Sequence, residues 1–325
     1  MRPKIVVLDG AVVNPGDLSW SELEALGELT VYPGSLDHEV PGRLQGAQIV
    51  LTNKALINAA TIRNTPTLQY IGVIASGYNT VDIHAAADRN IPVTNGLGYG
   101  TASVAQHVFA YILHFCNQVA LHNQDIQQGG WSKANVWCYT LQPLQELLGK
   151  TMGIYGYGRI GRQVGQIARA FGMKVIAHTR SLEKYAKDST AFVGLDELFR
   201  SSDFLSLHAP LTEANAGFVN AERLRLMQSS AYLINTGRGG LIQEVDLRAA
   251  LLSGQLAGAA LDVLSQEPAP NDHPLIGLDN CILTPHNAWA SQSSRGRLLD
   301  IVVDNVRAFL SGELKRVVNG VTHLK

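Results

Sequence analysis

Short runs of β-branched and other apolar residues alternate with longer stretches of helical periodicity through nearly the whole chain. This alternation is typical of parallel sheets covered by helices. In the first half the predicted strands are Ile5 to Leu8, Leu29 to Tyr32, Ile49 to Thr52, Tyr70 to Ile74 and Pro92 to Thr94. In the second half they are Thr151 to Tyr155, Lys174 to Ala177, Phe204 to His208, Ala231 to Asn235, Gly258 to Val263 and Cys281 to Thr284. The pattern predicts an α/β protein with five strands and then six.

A long apolar stretch between the two sets of strands predicts a helix from about Val104 to Leu121. Ser103 to Gln106 has the spacing of a capping box, and apolar residues on several sides of the helix indicate burial. We expect this helix either to cross between domains and meet a second subunit, or to be buried inside one domain. The irregular, aromatic stretch Gln127 to Leu148 indicates a surface or interface segment. A last helix, Ser293 to Leu310, is expected to pack back on the first domain.

Composition and charge limit the classes of function. A chain of 325 residues predicts two domains. The near balance of 26 Lys and Arg against 27 Asp and Glu gives no reason to expect nucleic acid or a membrane surface as partner. The three cysteines are widely spaced and no CxxC or HExxH pattern is present, so we expect free thiols and no metal site. A cytoplasmic enzyme of small molecules fits these features best.

The strand Thr151 to Tyr155 runs into a glycine turn and then into a helical pattern. The turn reads Gly156-Tyr157-Gly158-Arg159-Ile160-Gly161. In dinucleotide-binding folds the first glycine of such a turn makes the bend, the second lets backbone amides approach a pyrophosphate, and the third lets helix and strand pack closely. The helix start adds unpaired N–H groups and a positive dipole end. We interpret the turn as a dinucleotide site, the alternative being an ordinary strand-to-helix turn.

The end of the next strand predicts which dinucleotide is preferred. An NAD site normally has an acid there, which bonds to the ribose 2′-hydroxyl and repels a 2′-phosphate. Here the strand runs into His178-Thr179-Arg180-Ser181, without an acid. Because Thr179 does not repel a phosphate, and Arg180 and Ser181 offer it charge and hydrogen bonds, we favour NADP(H). In the alternative, Arg180 is a solvated charge and NAD is used.

Three later strands are each followed by a polar residue in a turn, namely Arg238, Glu267 and His286. The carboxyl ends of parallel strands share one edge, where ligands bind, so we expect these residues to converge. A guanidinium holds a carboxylate and polarises a carbonyl, and a histidine donates a proton near neutral pH. A neighbouring carboxylate favours the protonated histidine. Each residue alone also has a structural explanation, but together they predict reduction of a carbonyl group.

These segments together resemble the D-isomer-specific 2-hydroxyacid dehydrogenase family. The matching stretches are Gly156 to Gly161, Ile234 to Gly240, Ala260 to Val263 with Glu267-Pro268, and Thr284 to Trp289. In addition, Ala75 to Asp82 resembles the family's substrate loop, and Val104 to Val108 resembles its interdomain helix. The resemblance covers essentially the whole chain.

The resemblance implies two doubly wound parallel-sheet domains. A Rossmann nucleotide domain would span residues 101–291, and a flavodoxin-like substrate domain would combine residues 1–100 and 292–325. Arg238 would bind the substrate, His286 would transfer the proton and Glu267 would support His286. Backbone groups of the segment from Ala75 through Ser76 to Gly77 would hold the substrate carboxylate.

The resemblance also implies the contacts with the cofactor. Arg159 and Ile160 would approach the pyrophosphate, and Asp262 would lie near the nicotinamide amide. We also assign Thr236 and Gly237, which directly precede Arg238, to the cofactor site. Family members are usually dimers paired through the nucleotide domains, so a homodimer is expected.

Two departures from the family pattern limit what is carried over. The acid of the second strand is absent, and Gln106 stands where the family commonly has Glu, so Gln106 receives no role. The segments His286 to Trp289 and Trp137 to Tyr139 look most like bacterial glycerate dehydrogenases, also called hydroxypyruvate reductases. The expected substrate is therefore a small 2-oxo acid, hydroxypyruvate first and glyoxylate second.

Two alternatives stay open at this point. A dehydrogenase of a bulkier 2-hydroxy acid would use the same residues. A dinucleotide-sensing, corepressor-like binding module would be expected to have disordered recruiting tails. Since the chain ends at Lys325, shortly after its last predicted helix, the sequence favours the enzyme.

Overall fold

The computed structural model describes residues 2–324 of the chain. The strands, in chain order, are β1 (Lys4–Val7), β2 (Glu28–Val31), β3 (Ile49–Thr52), β4 (Tyr70–Val73), β5 (Val93–Thr94), β6 (Thr151–Tyr155), β7 (Lys174–His178), β8 (Ala191–Phe192), β9 (Phe204–Leu207), β10 (Tyr232–Asn235), β11 (Gly258–Leu261) and β12 (Cys281–Leu283). Paired strands within each sheet run parallel.

Helices cover both sheets. They are α1 (Gly10–Val13), α2 (Ser21–Leu26), α3 (Val40–Arg43), α4 (Ala59–Asn64), α5 (Ile83–Asp88), α6 (Thr101–Asn117), α7 (Val119–Gln127), α8 (Gly130–Lys133), α9 (Arg159–Ala170), α10 (Leu195–Ser201), α11 (Ala221–Leu224), α12 (Glu244–Leu252) and α13 (Gln292–Leu310). Short 3₁₀ turns occur at Leu182–Tyr185, Glu213–Asn215 and Gly239–Leu241. Within residues 2–324, none of the helices is long and apolar enough to cross a membrane.

The first compact unit comprises Met1–Gly100 and Trp289–Lys325. Its sheet has the order β2-β1-β3-β4-β5, which is the flavodoxin-like winding. Local capping determines where several helices begin, because Asn58 and Asp82 each accept a backbone N–H at 2.9 Å in the first turn of α4 and α5. The last helix, α13, packs against β4 and α2 of this unit, as the sequence predicted.

The second compact unit comprises Thr101–Ala288. Its sheet has the order β12-β11-β10-β9-β6-β7-β8, which is the Rossmann winding extended by one strand. Alternate residues of its strands enter two separate cores, as Leu205 and Leu233 lie in one while Phe204 and Ile234 lie in the other. A parallel sheet covered on both faces requires this continuous burial. The structure thus confirms the predicted fold class of two doubly wound parallel sheets.

The predicted number of strands in the second sheet was wrong. The sheet has seven strands because Ala191–Phe192 forms the edge strand β8, which pairs with Ile176 and Ala177 of β7. A strand of two residues has no apolar run of its own. Its pairing depends on the neighbouring strand, so the hydrophobic pattern did not indicate it.

The long helix predicted over Val104 to Leu121 is two helices. Gln118, at φ 49°, adopts a left-handed conformation that ends α6 and begins α7. The predicted capping box was also wrong, because α6 already begins at Thr101 and the Ser103 hydroxyl donates instead to the carbonyl of Ala288 at 2.7 Å. The apolar residues of α6 lie in the core of the second unit, where α6 packs on α9.

Candidate active site

Three glycines at the junction of β6 and α9, two before the helix and one in its first turn, have the environment that a dinucleotide turn requires. Gly156 has φ +94°, and a Cβ there would lie 2.5 Å from the backbone nitrogen of Ala209. A Cβ at Gly158 would meet no atom within 4 Å, so the turn is open at this point. A Cβ at Gly161 would lie 2.3 Å from the Gly156 carbonyl oxygen and 2.9 Å from the side chain of Ile154. The turn therefore combines a tight bend, an open approach and close helix packing.

The amino end of α9 faces this opening without a side-chain cap. Gly158 is its N-cap residue; its carbonyl accepts the Arg162 N–H at 3.0 Å, but it has no side chain to cap the N–H groups of the first turn. Those N–H groups of the 12-residue helix are therefore suited to binding a phosphate. Arg159 and Ile160 are the first two residues of α9, as the predicted pyrophosphate contacts require. The exposed Arg159 also lines a polar pocket of about 380 Å³ together with Arg162 and Arg169.

Two buried polar atoms beside this turn have no hydrogen-bond partner among residues 2–324. They are His208 Nδ1 and Thr236 Oγ1. The strand register aligns Tyr155, Leu207 and Asn235, so Gly156, His208 and Thr236 follow side by side at the carboxyl edge. A buried polar atom without a partner costs about 1–3 kcal/mol, and polar groups of a bound dinucleotide would remove that cost. The residues at this edge thus fit such a cofactor.

His208 was not identified from the sequence, although its position directly after a buried strand was a usable signal. Its Nε2 lies 2.8 Å from the Ser206 hydroxyl. Burial lowers the pKa of His208 to about 3, so the ring is neutral at working pH.

The loop after β7 lies where the ribose of a dinucleotide is expected. The Thr179 hydroxyl accepts the Ser181 N–H at 3.3 Å, which shapes the loop. The Arg180 side chain is exposed, and no carboxylate occurs between His178 and Leu182. Within the described part of the chain, nothing at this loop end repels a phosphate.

His286 and Glu267 are brought together by the loops that follow β12 and β11. His286 Nδ1 donates to Glu267 Oε2 at 2.7 Å, and Glu267 Oε1 accepts the Leu264 N–H at 3.0 Å. Their side chains are 25% and 34% exposed. Because the carboxylate is bonded to Nδ1, the other ring nitrogen, Nε2, lies on the far side of the imidazole from the carboxylate. The pair is arranged as a histidine proton donor oriented by an acid.

Asp262 holds the loop that presents His286. The Asp262 carboxylate is almost completely buried and accepts hydrogen bonds from the Thr284 hydroxyl at 2.6 Å, the Asn287 N–H at 2.8 Å and the Ala288 N–H at 3.0 Å. The His286 N–H donates to the Asp262 carbonyl at 2.9 Å. These bonds surround His286, whose φ of 52° is uncommon for a residue with a side chain. The contact predicted between Asp262 and the nicotinamide amide stays a prediction.

Arg238 extends from the turn after β10 and is exposed. Asn235, which is fully buried, shapes this turn by donating to the Arg238 carbonyl at 2.8 Å and accepting the Gly237 N–H at 3.0 Å. A Cβ on Gly239 would lie 1.9 Å from the backbone carbon of Leu264, so the Arg238 turn packs directly on the loop that leads to Glu267. Its guanidinium donates to the Gly237 carbonyl at 2.7 Å. The remaining guanidinium donors are available to a substrate.

The predicted carboxylate-binding segment lies in the first unit, after β4. Asn53 and Asn95 clamp it, donating to the carbonyls of Ile74 at 2.5 Å and Ser76 at 2.7 Å. Across residues 2–324, no hydrogen bond is formed by the backbone N–H groups of Ser76 and Gly77. Consecutive free N–H groups form a concave site for an anion. The two asparagines were not identified from the sequence, because their side chains bond to backbone carbonyls of residues about 20 positions away in the chain.

Comparison with known proteins agrees with this geometry. Residues 109–288 match the family model described as "D-isomer specific 2-hydroxyacid dehydrogenase, NAD binding domain". A protein of Blautia hydrogenotrophica named hydroxypyruvate reductase is 47% identical over 97% of this chain and 99% of its own length. A glycerate dehydrogenase of Methylorubrum extorquens is 38% identical over 98% of this chain and 99% of its own.

A solved structure has the same fold over the full length. It is an NADPH-dependent glyoxylate/hydroxypyruvate reductase from Sinorhizobium meliloti, in complex with NADP and malonate, with a TM-score of 0.84 and 29% identity. The alignment covers 100% of this chain and 99% of that one. The chain therefore belongs to the D-isomer specific 2-hydroxyacid dehydrogenase family and is an NAD(P)-dependent enzyme.

Proposed function

We propose that this dehydrogenase reduces a compact, polar 2-oxo acid, with hydroxypyruvate as the first candidate and glyoxylate as the second. The relatives named hydroxypyruvate reductase and glycerate dehydrogenase support this substrate class. The observation on which the proposal depends is the 2.7 Å bond between His286 Nδ1 and Glu267 Oε2. This bond leaves His286 Nε2 available to the substrate. His286 follows a strand of the same parallel sheet as the glycine turn and Arg238, so all three lie at its carboxyl edge.

The proposed mechanism assigns one task to each side chain. A bound nicotinamide dinucleotide supplies the hydride for the carbonyl carbon. His286 Nε2 donates a proton to the carbonyl oxygen, while Glu267 holds the ring through its bond to Nδ1. Arg238 binds the substrate carboxylate through its forked N–H groups and polarises the carbonyl. These roles require all three residues at one site.

The free N–H groups of Ser76 and Gly77, together with Ala75, are proposed to take part in binding the carboxylate. A carboxylate accepts two N–H bonds readily, and charge makes such bonds stronger than neutral ones. The asparagine clamps on Ile74 and Ser76 support this proposal, because they hold the backbone in one conformation. In this view Met1–Gly100 with Trp289–Lys325 is the substrate-binding domain, and Thr101–Ala288 is the dinucleotide-binding domain.

NADP(H) is the proposed cofactor, with NAD as the alternative. The exposed Arg180 and the adjoining Thr179 and Ser181 support this choice, since no acid at the loop would repel a 2′-phosphate. The Sinorhizobium meliloti relative is described as NADPH-dependent. The other proposed contacts are Gly156, Gly158, Arg159, Ile160 and Gly161 at the phosphates, and Thr236, Gly237 and Asp262 near the nicotinamide.

A homodimer in the cytoplasm is the proposed state of the enzyme. The segment after α7 supports self-association, because it exposes several large apolar side chains, with Trp137 at 89% and Leu148 at 74%. Apolar surface of this kind commonly marks protein interfaces.

The decisive experiment is turnover of a panel of 2-oxo acids with NADPH and with NADH. We expect the highest kcat/KM for hydroxypyruvate, followed by glyoxylate, and a clear loss for 2-oxo acids with bulky side chains. A preference for a bulky acid would replace the proposed substrate class. A folded protein that binds the cofactor but reduces no member of the panel would favour a dinucleotide-sensing binding module instead.

A further inference from the structure

A second carboxylate, that of Glu244, lies behind the loop that carries Glu267. Glu244 is the first residue of α12, and its side chain is only 11% exposed. The sequence analysis assigned no role to it. A buried carboxylate in a soluble domain requires partners, and those of Glu244 come from the Glu267 loop.

The partners of Glu244 stand at the two ends of one segment. At the near end the Ser265 N–H donates to Oε1 at 2.7 Å, and the Ser265 hydroxyl donates to Oε2. At the far end His273 Nε2 bonds to the same Oε2 at 3.2 Å. One carboxylate thus fastens both ends of the segment 265–273, and Glu267 lies inside it.

The bond to the second ring nitrogen of His273 indicates which nitrogen donates to Glu244. The Leu275 N–H donates to His273 Nδ1 at 3.3 Å, so Nδ1 is an acceptor and Nε2 carries the ring proton. His273 is only 4% exposed at its side chain. The contact with Glu244 is therefore a hydrogen bond that His273 Nε2 donates to the carboxylate.

The fastened segment directly determines where the Glu267 carboxylate lies. The Leu264 N–H, one residue before Ser265, donates to Glu267 Oε1 at 3.0 Å. Glu267 Oε2 then accepts from His286 at 2.7 Å. The backbone of Leu264 and Ser265 also packs against Gly239, next to Arg238. A shift of this loop would move Glu267 relative to His286.

We propose that Glu244 is a positioning residue of the active site, acting with His273. It holds the Glu267 loop so that the Glu267 carboxylate meets His286 Nδ1 and keeps the imidazole oriented. The inference rests on the proposed function of His286 as proton donor. The simpler reading is that Glu244 serves only the start of α12, where an acid is favourable because of the helix dipole.

The experiment replaces both members of the pair and follows the pH profile of kcat. Glu244→Ala removes all three bonds, and Glu244→Gln keeps an acceptor for Ser265. His273→Leu removes the donor to Glu244, whereas His273→Gln keeps an N–H near the same place. Asp203→Asn is the matched control, since the Asp203 carboxylate also accepts a backbone N–H, that of Thr151 at 2.8 Å, but lies before β9 at the opposite sheet edge.

We expect Glu244→Ala and His273→Leu to move the alkaline midpoint of the kcat profile down by roughly one pH unit, the size of effect expected when an opposite charge is displaced. At pH values above that midpoint, kcat falls about tenfold, because one unit corresponds to a factor of ten in the protonated fraction. In Glu244→Gln and His273→Gln the alkaline midpoint should return most of the way to its value in the parent enzyme. Asp203→Asn should lower the thermal midpoint without moving the pH profile.

A folded Glu244→Ala enzyme with an unchanged midpoint would overturn the proposal and leave Glu244 as a helix-start residue. If Glu244→Ala does not fold, the His273→Leu and His273→Gln pair decides, and equal profiles for the two would overturn the proposal. A nitrogen NMR titration of His286 in protein without substrate, assigned with His286→Gln, separates this question from turnover. If the titration shifts in Glu244→Ala but no 2-oxo acid is reduced by the parent, the positioning role stands and the proposed function fails.

Discussion

Asp9 in the first unit and Asp262 in the second stand at the carboxyl edges of their sheets, and both are almost completely buried. Asp9 accepts the N–H groups of Asn53 at 2.8 Å and Ala55 at 2.8 Å, together with that of Lys54. Asp262 accepts two N–H groups and a hydroxyl from residues 284–288. In both sheets, a buried carboxylate determines the course of the loop after the neighbouring strand.

The two loops differ in what they present. The loop held by Asp9 contains Asn53, which donates to the Ile74 carbonyl directly before the segment whose Ser76 and Gly77 N–H groups form no hydrogen bond within residues 2–324. The loop held by Asp262 contains His286 in a left-handed conformation and presents an ionisable ring. The comparison teaches that one edge offers fixed dipoles suited to binding, whereas the other offers side chains suited to proton transfer. Damage to the two edges should therefore have different kinetic signatures.

Removal of His286, the proposed proton donor, should impair the enzyme most. His286→Ala should lower kcat by about 10²–10⁴-fold, the usual contribution of a general acid, while cofactor affinity is kept. Steady-state kinetics and a titration of cofactor binding measure the two quantities. Near-normal turnover in this variant would remove His286 from the mechanism.

The next effect concerns the guanidinium. Arg238→Ala should raise KM for the 2-oxo acid and lower kcat together, with a loss in kcat/KM on the order of 10²-fold, because the side chain is asked both to bind and to polarise. Arg238→Lys keeps the charge but not the fork, and should recover only part of the loss. A change confined to KM would mean that Arg238 binds without polarising.

The third prediction tests the comparison of the two aspartates. Asp9→Asn and Asp262→Asn should each destabilise the protein by about 1–3 kcal/mol, because buried N–H groups lose acceptors. Only Asp262→Asn should also lower kcat, by roughly tenfold, since a displaced ring donates its proton less well. Thermal melts measure the stability of the two variants. Their kcat values are then measured at a temperature well below the melting temperature of either variant.

The control for that pair is Asp196→Asn, an exposed acid in the first turn of α10. It should alter the melting temperature and kcat little, since surface substitutions usually change stability by less than about 0.5 kcal/mol. An equal loss of kcat in Asp9→Asn and Asp262→Asn would contradict the view that the first sheet edge serves binding and the second serves proton transfer.

A change of similar size, confined to the choice between the two dinucleotides, is expected from the loop after β7 that carries Arg180. Arg180→Ala should reduce the NADPH to NADH ratio of kcat/KM by roughly 10-fold, because one charged hydrogen bond to the 2′-phosphate is lost. The value for NADH should hardly change. A parent enzyme that prefers NADH tenfold or more would contradict the cofactor choice itself.

Much of the site was accessible from the sequence because it obeys local rules. Arg238, Glu267 and His286 each follow a β-branched or apolar run, and the edge rule for parallel sheets brought such residues together. The structure brings His286 and Glu267 into contact, and packs the Arg238 turn against the loop before Glu267. The glycine turn was also predicted from the sequence, because glycine is the residue that best tolerates a positive φ and a close approach of other backbone atoms.

Other features had no local signal. Gln118 ends α6 in a left-handed conformation, although glutamine is a good helix former, because tertiary packing overrides a weak propensity. Ser103 has the spacing of a cap but lies within the helix and bonds to Ala288, which is distant in sequence. Nothing in the sequence distinguishes the polar residues that hold the site in place, namely Asn53, Asn235 and Glu244. Their hydrogen-bond partners come close to them only in the folded chain.

Local patterns in the chain therefore predicted the alternation of strands and helices, the glycine turn and the polar residues that follow the strands, because periodicity, glycine and strand ends are local properties. Only the tertiary structure decided which atoms hold those side chains. The bonds from Asp9, Glu244 and Asp262 join segments far apart in sequence, and a buried carboxylate acquires its role only when folding removes water and brings specific N–H groups to it.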